Sequence, residues 1–129
     1  MATVKNPRLA ALNMLASVLD SGSNLSDAES ENRQPEARDR AFARHLAYGV
    51  LRWLPALEWL SGQLLRKPLR RKDRDVNRLI LIGLYQLWQD RSAAHAAVHE
   101  SAECARKLGK TWSVSVINAV LRRFLREQP

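Results

Sequence analysis

His95, His99 and Glu103 recur at steps of four, so on a helix two imidazoles and a carboxylate would share one face at the spacing that lets side chains hold a metal ion together. The interval is common by chance, and the intervening Ala96 and Ala97 carry no metal signal. The reading is therefore a capped helix start with solvated histidines, and no metal. Cys104, the single cysteine, lies in Ala-Glu-Cys-Ala without a nearby lysine or a helix start to lower its pKa, although His99 is five positions away. A buried, inert thiol is expected, and one cysteine can build neither an intrachain disulfide nor a thiolate zinc site. Gly22, Gly49, Gly62, Gly83 and Gly109 are never closer than thirteen positions, which leaves no dinucleotide fingerprint and no phosphate-cradling loop. The chain is accordingly expected to be no enzyme by itself: no catalytic residue and no cofactor are assigned to it.

Cations are the remaining chemistry. The 129 residues hold 21 Lys and Arg against 13 Asp and Glu, a formal charge of +8, and the pI near 10.6 favours an anionic partner, of which nucleic acid is the commonest. Residues 20–39 carry six acids and two bases, so the rest of the chain stands at +12. Seven bases (Arg66, Lys67, Arg70, Arg71, Lys72, Arg74, Arg78) face only Asp73 and Asp75 within one stretch, a charge that folding alone explains poorly. Near the carboxyl end Ser115, Asn118, Arg122 and Arg126 recur at steps of three and four with Arg123 beside them, giving a cationic face that suits either phosphate contact or plain solvation. The RNA-contact candidates are Arg70, Arg71, Lys72, Arg74, Arg122, Arg123 and Arg126, with Lys5 and Arg8 as a possible extension. Aromatic residues fall mainly at core-facing positions, which argues against base stacking; Trp59 is the exception, off the Leu57, Leu60, Leu64 stripe.

The elements that must position these residues are helical. Asn6-Pro7 reads as a cap and a first helical residue, followed by Leu9, Leu12, Ala16 and Leu19 until Asp20 and Gly22. Residues 20–38 read as a mobile acidic loop rich in Ser, Asn and Glu. Phe42, Leu46, Val50 and Trp53 mark a second helix from Asp39, and Leu57, Leu60 and Leu64 a third, from Pro55 until Pro68 closes it. From Asp73 to Asp90 the chain is apolar all round its middle, and its length favours a buried helix over a strand, with Leu79, Ile82, Leu84, Tyr85 and Leu87 at the centre. A fifth helix has small residues on one face (Ala94, Ala97, Val98, Ser101, Ala102, Ala105) and ends at Gly109, which predicts close packing. The last runs from about Thr111 to Arg126 with Val116, Ile117, Val120, Leu121 and Phe124 inward. The expectation is one all-α domain over 1–129, a compact bundle of about six helices. No stretch reaches the ~18 apolar residues of a membrane span, and the first residues lack the apolar core of a secretory signal, so a cytoplasmic location without membrane contact is expected.

Several short stretches in one order carry a family resemblance: Asp39-Arg-Ala-Phe42, Tyr48-Gly-Val-Leu-Arg52, Lys67-Pro-Leu69, Gly83-Leu-Tyr-Gln-Leu87, His95-Ala-Ala-Val98 and Asn118-Ala-Val-Leu-Arg-Arg123. Together they resemble the amino-terminal NusB-like domain of the RsmB (Sun, Fmu) family, from about Pro7 to Arg126. His99 departs from the Asn expected in relatives. The resemblance implies a NusB-like fold and an RNA-binding or RNA-positioning role toward small-subunit (16S) ribosomal RNA. It also implies a carboxyl-terminal methyltransferase domain, outside this chain, that binds S-adenosylmethionine and methylates carbon 5 of a cytosine. The alternatives are a free-standing NusB-like transcription antitermination factor, in which RNA binding is itself the function, and a protein-interaction module.

Overall fold

Asn6 is extended (φ −149°, ψ 108°), and its side-chain oxygen accepts the N–H groups of Arg8 at 3.0 Å and Leu9 at 3.2 Å. Two of the donors that a helix start leaves unpaired are thereby satisfied, and Pro7 supplies the preset φ of the first turn. The computed structural model describes residues 6–90 and 93–128. Among these residues all regular structure is helical, in seven α-helices joined by a 3-10 turn and a π-helical segment. None is long and apolar enough to cross a membrane. The fold is all-α, as the absence of alternating segments predicts.

The chain divides after Arg52 into two compact units. In the first, α1 (Pro7–Ser21) packs on α2 (Leu25–Glu31) and α3 (Ala37–Arg52). Leu9, Leu12, Met14 and Leu15 of α1 are buried with Leu46, Ala47 and Val50 of α3. Gly22 ends α1 in the left-handed region (φ 72°), and the N–H of Ser23 returns to the carbonyl of Ser17 at 3.0 Å. Helix α2 corrects the reading of 20–38 as loop throughout. Asn24 accepts the N–H of Asp27 at 2.8 Å and donates to its carboxylate at 3.0 Å, a reciprocal cap that starts the turn. Ala28 anchors it, with no exposed surface.

In the second unit, α4 (Leu54–Leu64), α5 (Arg74–Tyr85), α6 (Ala94–Lys107) and α7 (Ser113–Glu127) surround a common core. Helix α5 packs on α4, α6 and α7, and every residue from Leu79 to Tyr85 is buried. A Cβ on Gly83 would stand 2.7 and 2.9 Å from the two terminal methyls of Leu121 and 3.2 Å from Ser101 Oγ. Glycine at that position therefore lets α5 approach α6 and α7 closely, as the small face of α6 predicts. Cys104 of α6 is buried, also as expected.

Three boundaries differ from expectation. Helix α4 stops at Leu64, four residues short of Pro68, with Leu65 extended; Arg123 supplies the reason below. Helix α5 passes into a π-helical segment, Gln86–Asp90. Its wider turn carries Leu87 off the buried stripe to a half-buried position and brings Gln86 fully inside. Trp88 of this segment meets Trp53 edge-on, with ring centroids 5.3 Å apart. Helix α6 starts at Ala93, which has no side-chain acceptor, in place of the expected cap. Trp59 is 58% exposed, in keeping with its place off the stripe, but the other aromatic residues are less inward than expected: Trp112 is 52% exposed and Tyr48 lies at the surface beneath the guanidinium of Arg44.

Candidate nucleic-acid interface

The segment between α4 and α5 leaves the helix at Leu65, bends at Arg66 and Lys67, and after an extended Arg70 makes a 3-10 turn over Arg71–Asp73. Arg66, Lys67, Arg70, Arg71, Lys72 and Arg74 are all exposed. The two acids embedded in this run point the other way. Lys110, from the loop before α7, places its ammonium 2.7 Å from Asp75 Oδ1, 3.1 Å from Asp73 Oδ1 and 3.2 Å from the carbonyl of Lys72. Its pKa is held above the ordinary 10.5, first by the hydrogen bond to Asp75, with Asp73 adding to it and partial desolvation opposing. Asp75 also accepts the N–H of Val76 at 2.8 Å. Asp73 and Asp75, at the start of α5, make no side-chain cap and staple the 3-10 turn to the loop 35 to 37 positions downstream. Lys110 thus offsets one of the two negative charges set among the exposed bases and holds both carboxylates against itself.

The two cationic clusters meet at this segment. A groove of about 430 Å³ is floored by Leu64, Leu65, Val116 and Val120 and edged by Arg66, Lys67, Arg123 and Arg126. A second, of about 440 Å³, is bordered by Arg66, Arg70, Arg71 and Arg74. On α7 the three candidate arginines separate. Arg122 and Arg126 are exposed, whereas Arg123 is half-buried and donates to the carbonyls of Leu64 at 3.3 Å and Gln63 at 3.5 Å, with Glu127 against its Nε. Arg123 therefore closes the end of α4, where helix carbonyls lack partners, and its guanidinium is committed internally. Its place three positions after Val120 sets it toward the apolar side of α7, but the carbonyls it meets lie some sixty positions upstream and leave no local signal.

Of the remaining candidates, Arg8 lies in the first unit with its guanidinium 5.1 Å from the centre of the Phe42 ring, a cation–π contact. Lys5 lies outside the described residues. His95 and His99 are exposed, with their rings 6.4 Å apart and within 10° of parallel, and Glu103 hydrogen-bonds Arg106 at 3.1 Å. Among the described residues no three His, Cys, Asp or Glu side chains come together to hold an ion. Two residues of the site went unnoticed in the sequence. Lys110 had no local signal, since its partners are more than thirty positions away; Trp112 had none either, because it stands four positions before Val116, in step with the inward stripe of α7, and yet is exposed.

Residues 5–126 match the NusB family. The chain is 47% identical over 123 residues to a ribosomal RNA small subunit methyltransferase B of Pseudomonas putida, an alignment covering 95% of this chain and 28% of that protein. The same named protein of Vibrio vulnificus is 48% identical over 124 residues, with 95% and 29% covered, and that of Sodalis glossinidius 42% identical over 130 residues, with 100% and 30% covered. The chain spans less than a third of the length of these curated relatives. By the family match over nearly its whole length and by its all-helical fold, the chain belongs to the NusB family.

Proposed function

We propose that this domain is a non-catalytic RNA holder that presents small-subunit ribosomal RNA to a methyltransferase active site carried elsewhere in a longer protein. The observation that carries the reading is the meeting of Arg66 and Lys67 with Arg126 of α7 around one groove, beside a second bordered by Arg66, Arg70, Arg71 and Arg74. Side chains that fold stability does not require, held on a fixed turn, suit the sequence-independent phosphate contacts that orient a nucleic acid. The relatives are named as ribosomal RNA small subunit methyltransferases, which makes that RNA the substrate of choice and the rest of the protein the natural partner. The family resemblance adds cytosine carbon 5 as the methylated atom and S-adenosylmethionine as the methyl donor. This chain offers that donor no glycine-rich loop, so its binding is assigned to the other domain.

Salt titration of RNA binding tests the reading. Each neutralised phosphate contributes about 0.7 to the slope of log K against log salt on a single strand. Arg122→Ala with Arg126→Ala should lower the slope by about 1.4, and Arg70→Ala, Arg71→Ala and Lys72→Ala together by about 2.1, with similar losses on unrelated RNA sequences. Wild-type affinity and slope in both variants would remove the RNA path from this domain. A second reading, docking on the remainder of the protein, is favoured by the apolar floor of the groove between Leu64, Leu65, Val116 and Val120. Protection of Val116 from solvent exchange in the longer protein without RNA would select it.

A further inference from the structure

We propose that Trp112, together with Arg70 and Lys72, forms a stacking site for a single unpaired nucleobase, the indole taking the base and the two cations the flanking phosphates. This rests on the RNA-binding reading and adds to it a strand state, single-stranded, and a subsite.

Trp112 is half exposed at 52% and occupies the cap position of α7, where its side chain makes no capping hydrogen bond. Neither burial nor capping accounts for an indole there. It lines a groove of about 320 Å³ with Pro68, Leu69, Arg70, Lys72 and Asp73. The groove is built on fixed backbone from both sides. Ser113 bonds the carbonyl of Lys110 through its N–H at 2.9 Å and its Oγ at 2.7 Å, which holds the main chain around Trp112. The Lys110 ammonium in turn grips Asp73, Asp75 and the carbonyl of Lys72, which holds the opposite wall. Lys110 offsets one of the two carboxylate charges, and Asp73 is buried against that ammonium, so the charged groups exposed along this groove are Arg70 and Lys72. An exposed indole that lines one groove with two exposed cations, on backbone held from both sides, is the combination that binds a base by stacking and its backbone by charge. A duplex, whose bases are already stacked on one another, offers no face to the indole.

The test uses the 129-residue chain with a labelled twelve-nucleotide oligoadenylate and with an RNA duplex of the same length. Trp112→Ala should weaken the single strand about tenfold, the equivalent of about 1.4 kcal/mol, and leave the duplex unchanged. Its salt slope should equal that of the wild type, since no charge is removed, while Arg70→Ala with Lys72→Ala lowers the slope by about 1.4. Trp112→Phe should restore most of the affinity, and Trp59→Ala, which removes an equally exposed indole from α4, should leave it within about twofold. An unchanged thermal midpoint shows that each variant is folded. Trp112→Ala binding the single strand like the wild type, or losing equal affinity for strand and duplex, overturns the stacking site while the charge variants still report on the RNA reading. A wild-type chain that binds neither RNA removes both. A Trp112-dependent loss for a polyglutamate peptide without one for RNA overturns the proposal in favour of an acidic protein partner.

Discussion

Residues 65–73 and 79–85 are neighbours in the chain and opposites in the structure. The first stretch is nearly devoid of helix and presents Arg66, Lys67, Arg70, Arg71 and Lys72 to water; the second is one continuous helix with every side chain buried. Between them lies a single turn in which Asp73 and Asp75 are gripped by Lys110. Burial alone accounts for the second stretch: removing Leu79, Ile80, Leu81, Ile82 and Leu84 from water outweighs the ordering of a helix that has no polar face. It gives no account of the first, where nothing is gained by burying a cation and only Asp73 is buried. The ion cluster at the junction is what allows a charged segment to lead directly into a buried one.

The largest expected effect lies on the buried side. Leu84→Ala should lower the unfolding free energy by about 2–5 kcal/mol in a denaturant titration, and a loss well under 1 kcal/mol would break the contrast by placing α5 at the surface. Next is Gly83→Ala, whose new methyl would meet Leu121, itself fully buried and unable to swing away. Overpacking of about 1–3 kcal/mol should exceed the ~1 kcal/mol gained in helix propensity. Adding Leu121→Ala should cost less in the Gly83→Ala background than in the wild type, which a double-mutant cycle would show.

At the junction, Lys110→Met should cost about 1–3 kcal/mol, because Asp73 keeps its charge at a site only 10% exposed after losing its partner. The same interaction has a pH signature. The folded-state pKa of Lys110 lies above the ordinary 10.5, chiefly through Asp75, so its contribution is complete below that ordinary value and fades as pH rises through the folded one. The stability gap between wild type and Lys110→Met should therefore hold constant from neutral pH to about pH 9 and narrow in more alkaline solution. A gap that stays level far into the alkaline range would mean that charge is not what joins the two stretches.

The smallest effects sharpen the cationic side. Arg123→Ala should lose about 1 kcal/mol with the carbonyls of Gln63 and Leu64 left without their donor. Arg122→Ala, Arg70→Ala and Arg71→Ala should each stay within about 0.5 kcal/mol, and a larger loss in any of them would assign that arginine to the fold.

Local chemistry explains which features were legible beforehand. The Asn6-Pro7 start, the Gly22 and Gly109 ends and the all-round apolar α5 follow from signals within a few residues, and each stands where those signals place it. Helix α2 was obscured because it buries one small residue, Ala28, so no apolar period exists to notice, although the spacing of Asn24 and Asp27 carried its cap. The exposed bases of the site were visible from charge density alone. Which of them are engaged was not, because the carbonyls that hold Arg123 lie some sixty positions upstream and the acids that hold Lys110 more than thirty. Long-range pairing leaves no trace in a local pattern.

Cys104 has a practical consequence of a different kind. The chain contains one sulfhydryl, and it sits with no accessible surface on the face of α6 turned to the core. A thiol reagent can reach it only when that helix detaches, so in the native protein the labelling rate measures an opening equilibrium and not the reactivity of the sulfur. The molecule thus carries its own clock for motion in the second unit: a rate that slows when RNA is added would show that ligand and helix docking are thermodynamically linked, and an unaltered rate would show that the cationic surface is filled without steadying the core beneath it.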